Sequence, residues 1–202
     1  MSERRTEILL ADGSVIADDW VWLRLPESTE PQKKAAGKPV LFRVTGETAA
    51  PPDVVAGVAV PVTGRVLLPL PLWLARKDEL AARVAAGEIG VWIDSFEEPE
   101  ALPESLADLN ALPVIGLHFP RFVDGRAYSA AFLLRNRYGY KGQLRALGDV
   151  LRDQLFYLRR VGFDAFALRE GLDAHAAAAS FADFPEVYQT STDQPQPLFR
   201  RA

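Results

Sequence analysis

Short apolar runs alternate with longer amphipathic segments over the second two thirds of the chain. The runs begin near residues 65, 89, 112, 142 and 163, and each interval contains one segment with helical spacing of its apolar residues. Buried strands that alternate with helices in this way are typical of parallel sheets. The pattern therefore predicts an α/β fold, an open and mostly parallel sheet flanked by helices and built from five βα units. Because five units are too few for a closed (β/α)8 barrel, a partial (β/α) barrel is the alternative.

The spacing of turn residues sets the bounds of these elements. The predicted strands cover residues 65–70, 89–94, 112–119, 142–148 and 163–168. The predicted helices cover residues 71–87, 97–110, 127–138, 150–161 and 172–182. Each helix joins one strand to the next, so the strands should all run in the same direction.

The N-terminal third has a different pattern. Two apolar stretches flank Asp12 and Gly13, a dipeptide that favours a hairpin turn, and the following residues are rich in proline, glycine and polar side chains. We therefore divide the chain into an N-terminal β-hairpin and irregular extension (1–64), an α/β domain (65–188) and a disordered tail (189–202).

The composition excludes several classes of chemistry. The chain has no cysteine and only two histidines, so it cannot form disulfides, and we predict no metal site. It carries no phosphate-binding loop and no dinucleotide fingerprint, so no cofactor is predicted. A flavin remains open, because flavin sites in such folds need no short linear motif. With neither a signal-peptide core nor a membrane-spanning run, the chain is expected to be cytoplasmic and to have no membrane partner.

The charge is unevenly distributed. The net charge is −4, yet residues 119–160 contain nine bases and three acids. A basic region in an acidic protein suits a small anion or an acidic protein partner and argues against nucleic acid. The alternative is a solvated helix face with intramolecular salt bridges and a phenylalanine packed under a neighbouring helix. The residues expected to contact a partner are Arg135, Arg137, Arg152, Phe156, Arg159 and Arg160.

The carboxyl ends of parallel strands meet at one edge of a sheet, where ligands usually bind. The polar residues that follow the predicted strands are Asp94, Asp124, Arg126, Asp149 and Arg169. The first turn of the helix that follows residue 126 offers unpaired backbone N–H groups to an anion. The predicted anion-binding residues are Asp124, Gly125, Arg126, Tyr128, Ser129 and Arg169.

The same residues also have structural interpretations. Asp124 and Asp149 are the candidate catalytic acids or bases, but Asp124 is equally suited to cap the helix that follows it, and the position of Asp149 favours capping. Arg126 is suited to pair with a carboxylate instead of a ligand. His118 stands alone within an apolar strand, which favours a packing role over a catalytic one. No complete set of nucleophile, base and orienting residue is visible, so enzymatic activity stays open.

Four stretches of the basic region carry a family resemblance. They are FPRFVDGRAYS (119–129), LRNRYGY (134–140), RALGDVLRDQ (145–154) and GFDAF (162–166). Together they resemble the bacterial domain-of-unknown-function family nine-three-four, over about the last two thirds of the chain. The resemblance implies genes that lie beside the haemoprotein subunit of nitrite/sulfite reductase, and a role in sulfate assimilation for cysteine biosynthesis. The oxidoreductase label often given to such proteins has no support in these residues.

Three functional hypotheses follow. The first is an accessory protein that docks on the sulfite reductase haemoprotein, or on another sulfate-assimilation enzyme, through the basic region and holds a small anion at Asp124–Arg126. The second is an enzyme that acts on a small anionic sulfur or nucleotide metabolite, with Arg126 and Arg169 binding the anion. The third is a non-catalytic scaffold of the reductase complex.

Overall fold

The computed structural model describes residues 2–4, 6–25 and 50–201. Its strands are β1 (Ser2–Arg4), β2 (Glu7–Leu10), β3 (Val15–Ala17), β4 (Trp20–Leu23), β5 (Arg65–Pro69), β6 (Ile89–Ile93), β7 (Val114–Phe119), β8 (Gln143–Gly148) and β9 (Ala165–Phe166). Its α-helices are α1 (Pro52–Ala56), α2 (Leu70–Ala85), α3 (Ala101–Glu104), α4 (Arg126–Asn136), α5 (Leu155–Arg160) and α6 (Ala174–Ala177). Short 3₁₀ helices lie at Leu109–Ala111, Arg152–Gln154, Ala178–Ala182 and Leu198–Arg200. Most of the irregular extension predicted after the hairpin lies outside the described residues.

Within the described residues, the strands form one nine-stranded sheet in the order β1-β4-β5-β6-β7-β8-β9-β2-β3. The six central strands, β4 to β9, are parallel and pair in chain order. Antiparallel strands lie at both ends, where β1 pairs with β4 and the β2–β3 hairpin pairs with β9. The predicted α/β class, mostly parallel sheet and N-terminal hairpin are therefore confirmed.

The chain order of the parallel strands determines the shape of the sheet. Each crossover from β5 to β9 moves to the next strand in the same direction, and right-handed connections dominate. The described connecting helices therefore lie on one face. The sheet curls into a half-barrel, consistent with the partial barrel that was the alternative architecture. The carboxyl ends of β6 to β9 are then neighbours along one rim, as in (β/α) barrels.

Each face of the sheet has its own apolar core. The helices cover the convex face, where residues such as Leu68, Ile93 and Leu117 are buried beneath them. The concave face carries a smaller core rich in tryptophan: Trp20, Trp22, Leu67, Trp92, Val114, Leu147 and Ala167. Side chains alternate between the faces along a strand, so Arg145 shares the concave face with Leu147. The guanidinium of Arg145 is buried there and donates to both carboxylate oxygens of Asp18, at 2.9 Å each.

Residues on both sides of the predicted boundary at residue 64 contribute to one sheet, because β4 before it pairs directly with β5 after it. In the segment predicted as the tail, polar groups connect described residues to the ends of two helices. Asn136 Nδ2 donates to Thr192 Oγ1 at 2.9 Å, and Ser191 Oγ donates to the carbonyl of Arg160 at 2.7 Å.

Several helices are shorter than the periodicity predicted. The helix expected over 97–110 is reduced to α3 and the 3₁₀ turn that follows it, in a stretch interrupted by Pro99 and Pro103. The helix expected over 150–161 begins as a 3₁₀ turn and becomes α-helical only at Leu155. The last helix is divided into α6 and a second 3₁₀ segment.

Candidate functional site

The loops that follow β6, β7, β8 and β9 meet at the carboxyl rim of the sheet. The loop after β6 contacts the start of α4, where Arg126 Nη2 donates to Ser95 Oγ at 3.0 Å. The loop after β7 contacts the loop after β8, where the Phe122 N–H donates to Asp149 Oδ2 at 2.9 Å. The polar residues predicted at this edge therefore lie in two neighbouring clusters, one around Arg126 and one around Asp149.

Asp124 and Arg126 form a bidentate ion pair. Arg126 Nε donates to Asp124 Oδ1 at 3.0 Å, and its Nη2 donates to Oδ2 at 2.7 Å. The backbone N–H of Arg126 donates to Oδ1 as well, at 3.2 Å. These hydrogen bonds from Arg126 hold the pKa of the buried Asp124 carboxyl below its usual value. Asp124 is thus an ionised acceptor that fixes the turn and the guanidinium, which is a poor arrangement for a general acid or base.

Asp149 connects two loops instead of capping a helix. Its Oδ1 accepts a hydrogen bond from Arg169 Nη1 at 3.2 Å, in addition to the bond that Oδ2 accepts from Phe122. The following 3₁₀ turn is capped elsewhere, by Leu151, whose N–H donates to Gln154 Oε1 at 2.8 Å. The predicted capping role of Asp149 is therefore wrong, and Arg169 lies in the Asp149 cluster rather than beside Arg126.

Gly148 allows β7 and β8 to approach each other closely at this rim. Its φ of 96° is in the left-handed region, and a Cβ there would lie 2.9 Å from His118 Nε2 and would also clash with the carbonyl oxygen of Phe119. The glycine thus lets the end of β8 pass directly over the imidazole. His118 itself packs edge-on against Trp22 and Trp92, with ring centroids 5.5 and 5.6 Å away, in the packing position that the sequence favoured.

A cleft of about 350 Å³ opens between the loop after β6 and the first half of α4. Its lining residues are Ile93, Asp94, Ser95, Phe96, Glu97, Glu98, Pro99, Glu100, Leu117, Arg126, Ala127, Ser129, Ala130 and Leu133. Of the predicted anion-binding residues, Arg126 and Ser129 reach this cleft. Tyr128 instead packs against Phe119 and Tyr157, each ring centroid 5.3 Å away, and burial raises its pKa to about 12.

Glu97 is the residue of the cleft that the sequence reasoning missed. Its Oε2 accepts the backbone N–H of Asp94 at 2.7 Å. The Asp94 carboxylate in turn lies 3.1 Å from His118 Nδ1. Burial raises the pKa of Glu97 to about 7, and the charge of Asp94 adds to that effect. The sequence signal that could have indicated Glu97 is its spacing, because it lies in a short loop three residues after Asp94, which follows a strand.

The raised pKa of Glu97 makes a prediction about stability and pH. The unfolded chain loses the Glu97 proton near pH 4.5 and the folded chain near pH 7, so this residue lowers the free energy of unfolding as the pH rises between those values. Glu97→Gln keeps the acceptor for the Asp94 N–H and removes the ionisation. We expect the variant to gain stability relative to the wild type between pH 5 and pH 8, measured by urea unfolding.

Glu186→Gln is the matched control for this measurement, because Glu186 is exposed and lies outside the cleft. Its stability relative to the wild type should not change over the same pH range. A Glu97→Gln difference that is also constant with pH would show that Glu97 titrates like an ordinary surface carboxyl.

Three of the six residues predicted to contact a partner have internal roles. Arg135 donates to the carbonyls of Tyr140, Gly142 and Gly162 and to Asp164 Oδ2, over 2.6 to 2.9 Å. Arg160 is buried, and its Nη2 donates to the carbonyl of Gln189. Phe156 is buried against Phe184, with ring centroids 5.0 Å apart. For these three residues the structure supports the alternative of internal pairing and packing.

The other three predicted contact residues lie nearer the solvent. Arg152 Nε donates to Ser180 Oγ at 3.1 Å, and Arg159 Nη2 donates to the carbonyl of Phe181 at 2.8 Å. Arg137 is exposed beside the ring of Tyr138. The six residues therefore do not form one continuous basic face, because half of the set is buried among other elements.

Comparisons with known proteins place the chain in a family but do not assign it an activity. No described helix is both long enough and apolar enough to cross a membrane, and residues 2–4, 6–25 and 50–201 contain no His/Asp/Glu group that could hold a metal ion. No curated protein and no solved structure matches the chain. A family model described as a bacterial protein of unknown function (DUF934) matches residues 90–199, just over half of the chain, and includes all four stretches that carried the resemblance. The chain therefore belongs to the DUF934 family of bacterial proteins.

Proposed function

We propose that the protein is a cytoplasmic accessory protein of assimilatory sulfite reduction that docks on the sulfite reductase haemoprotein. The link to sulfite reduction derives from the family resemblance described above. The observation that carries the docking proposal is an exposed aromatic and apolar surface at the carboxyl rim, here called the rim patch. Its exposed members are Phe122, Val123 and Tyr157, and the half-buried Tyr128 joins them through its contact with Tyr157.

The rim patch is continuous across two helices and a loop. Tyr128 at the start of α4 contacts Tyr157 on α5, with ring centroids 5.3 Å apart. Gln154 joins this pair to the loop after β7, since it hydrogen-bonds to Tyr128 and its Nε2 donates to the carbonyl of Phe122 at 3.4 Å. Tyrosine and phenylalanine are enriched in the cores of protein interfaces, and tyrosine is among the residues that contribute most to their binding energy.

The loop that carries Phe122 and Val123 is held from inside. The Phe122 N–H donates to Asp149, and the Asp124 N–H donates to the carbonyl of Arg121 at 3.0 Å. The side chain of Val123 is nevertheless 82% exposed. An apolar tip on a fixed backbone loses little conformational entropy on association, which favours a docking role.

Charge contributes less to this surface than the composition predicted. Two arginines at the same rim are partnered by carboxylates, Arg126 by Asp124 and Arg169 by Asp149. We therefore expect apolar contact to dominate binding, so the affinity for the haemoprotein should change little with ionic strength.

The test is a biolayer interferometry titration of the purified haemoprotein at low and high NaCl. Val123→Asp should weaken binding at least tenfold, because it places a charge in the centre of an apolar contact. Val62→Asp is the matched control. Val62 is 87% exposed but lies just before the start of β5, at the amino-terminal end of the parallel strands. The Val62→Asp variant should bind like the wild type.

Two outcomes would contradict the proposal. Equal affinities for Val123→Asp and Val62→Asp would remove the rim patch from the interface. An affinity that falls steeply with salt, and falls again in Arg152→Glu, would restore a charge-driven interface on the basic segment.

The enzyme hypothesis has less support at its two candidate acids. Asp124 is bound by Arg126 and Asp149 by Arg169 and a backbone N–H, so both carboxylates act as hydrogen-bond acceptors within the fold. The scaffold hypothesis shares the docking surface. A stimulation of sulfite turnover by the wild-type protein at saturating haemoprotein would favour the accessory role over a scaffold.

A further inference from the structure

The cleft beside α4 combines an apolar floor with both signs of charge. The floor consists of side chains beneath or along the helix: Ile93, Leu117, Ala127, Ala130 and Leu133. The volume of about 350 Å³ is at the lower end of the range for small-ligand pockets, about 300–1,000 Å³. A cleft of this size suits a metabolite of a few heavy atoms rather than a nucleotide.

The charges in the cleft do not suit a simple anion. One guanidinium, that of Arg126, lines it, and its charge is already compensated by Asp124. Four carboxyl side chains line the same space: Asp94, Glu97, Glu98 and Glu100. Sulfate or sulfite alone would meet a net negative field, so a ligand here must carry a positive group as well.

Glu97 is the natural partner for that positive group. The only hydrogen bond of its side chain within the described part of the chain is the one Oε2 accepts from the Asp94 N–H, and no described cation contacts that carboxylate. A partly buried carboxylate without a cation is unfavourable, and a ligand ammonium would compensate it. Asp94 lies beside it, so the ammonium would have two carboxylates within reach.

Arg126 is the natural partner for a negative group on the same ligand. Its Nη2 is anchored on Asp124 and on Ser95, so the guanidinium is fixed in orientation before any ligand arrives. The side chain remains 42% exposed at the cleft. A fixed guanidinium forms charge-assisted hydrogen bonds to a carboxylate.

We propose that the cleft binds a small zwitterion of the α-amino acid class with an apolar side chain. The ammonium would lie at Glu97 and Asp94, the carboxylate at Arg126, and the side chain on the apolar floor. This site is separate from the rim patch, and it replaces the simple-anion site predicted from the sequence. Binding and docking can therefore be tested independently.

The experiment is isothermal titration calorimetry of the full chain at pH 8 with L-methionine, whose flexible side chain adapts to an apolar floor. N-acetyl-L-methionine lacks the ammonium, and methylthiopropylamine lacks the carboxylate. We expect L-methionine to bind, and each analogue to bind at least tenfold more weakly. Sulfate should give no binding heat.

Variants then assign the two charged groups of the ligand. Glu97→Gln and Arg126→Gln should each lower the affinity for L-methionine at least tenfold, whereas Glu186→Gln, an exposed acid outside the cleft, should leave it unchanged. Circular dichroism checks that each variant is folded. The analogue series uses only the wild-type protein and decides the matter if a variant fails to fold.

The proposal is overturned by any of three results. Absence of binding heat with L-methionine removes the site. Equal affinity for L-methionine and its N-acetyl form removes the ammonium contact. Binding of sulfate as the only ligand, if it is lost in Arg126→Gln, would show that the cleft binds a simple anion.

Discussion

Arg145→Met should lower the free energy of unfolding by about 3–5 kcal/mol, the range for removing one partner of a buried ion pair. The side chains of Arg145 and Asp18 are each only 4% exposed, on the concave face of the sheet. The guanidinium also donates to Gln143 Oε1 at 2.8 Å. Burial lowers the pKa of the Arg145 guanidinium below its usual value, and the neighbouring Asp18 carboxylate partly opposes that shift. Each charged group of the pair thus has a fixed partner in place of water. Without the guanidinium, the Asp18 carboxylate would be buried without a cation.

Urea unfolding monitored by tryptophan fluorescence measures the effect. Arg65→Met is the matched control. Arg65 pairs at 3.0 Å with Asp19, the residue next to Asp18, and these two side chains are 53% and 65% exposed. Its loss should be at most about 1 kcal/mol. Arg145→Met combined with Asp18→Leu should recover much of the stability, since neither charge is then left buried. A loss for Arg145→Met as small as for Arg65→Met would show that Asp18 is hydrated.

Arg135→Met should be the second most damaging change, with a loss of about 3 kcal/mol. Arg135 is largely buried and joins the end of α4 to the start of β8 and to the turn before β9. Methionine fills a similar space, but the carbonyls of Tyr140, Gly142 and Gly162 lose a charged donor. Thermal and urea unfolding would both report the loss.

Arg137→Met is the control, because Arg137 is an exposed arginine on the same helix turn. We expect its stability to change by less than about 0.5 kcal/mol and its affinity for the haemoprotein to stay at the wild-type value. A stable Arg135→Met variant would contradict the internal role of Arg135. A weakly binding Arg137→Met variant would support the original basic docking face.

The regular part of the fold could be read from the sequence because its signal is local. The strand bounds predicted from apolar runs agree with β5 to β8 within two residues at each end, and the direction of those strands follows from the helices between them. The choice between an open sheet and a half-barrel could not be made from local sequence patterns. It depends on strand order, and on the hairpin that pairs β2 with β9 from far away in the chain.

The partners of the charged residues were the least predictable part. A count of bases in residues 119–160 says nothing about acids elsewhere in the chain. Arg145 pairs with Asp18 across 127 positions, and Arg160 contacts the C-terminal segment. The segment thus appeared basic in sequence although several of its arginines are used inside the fold.

The candidate site was predicted in position but not in composition. The rule that strand carboxyl ends converge placed Asp94 and Arg126 at one rim, and their loops do meet there through Ser95. Chain-order pairing of the strands also places Asp149 with Arg169, away from the cleft. Glu97 was missed because its environment, not its residue type, raises its pKa.

The most direct test of the docking proposal is hydrogen–deuterium exchange of the protein with and without the sulfite reductase haemoprotein. We expect slower exchange in the complex over residues 120–128 and 155–158, which carry the rim patch, and unchanged exchange around Val62. Protection confined to other surfaces, or no protection at saturating haemoprotein, would contradict it.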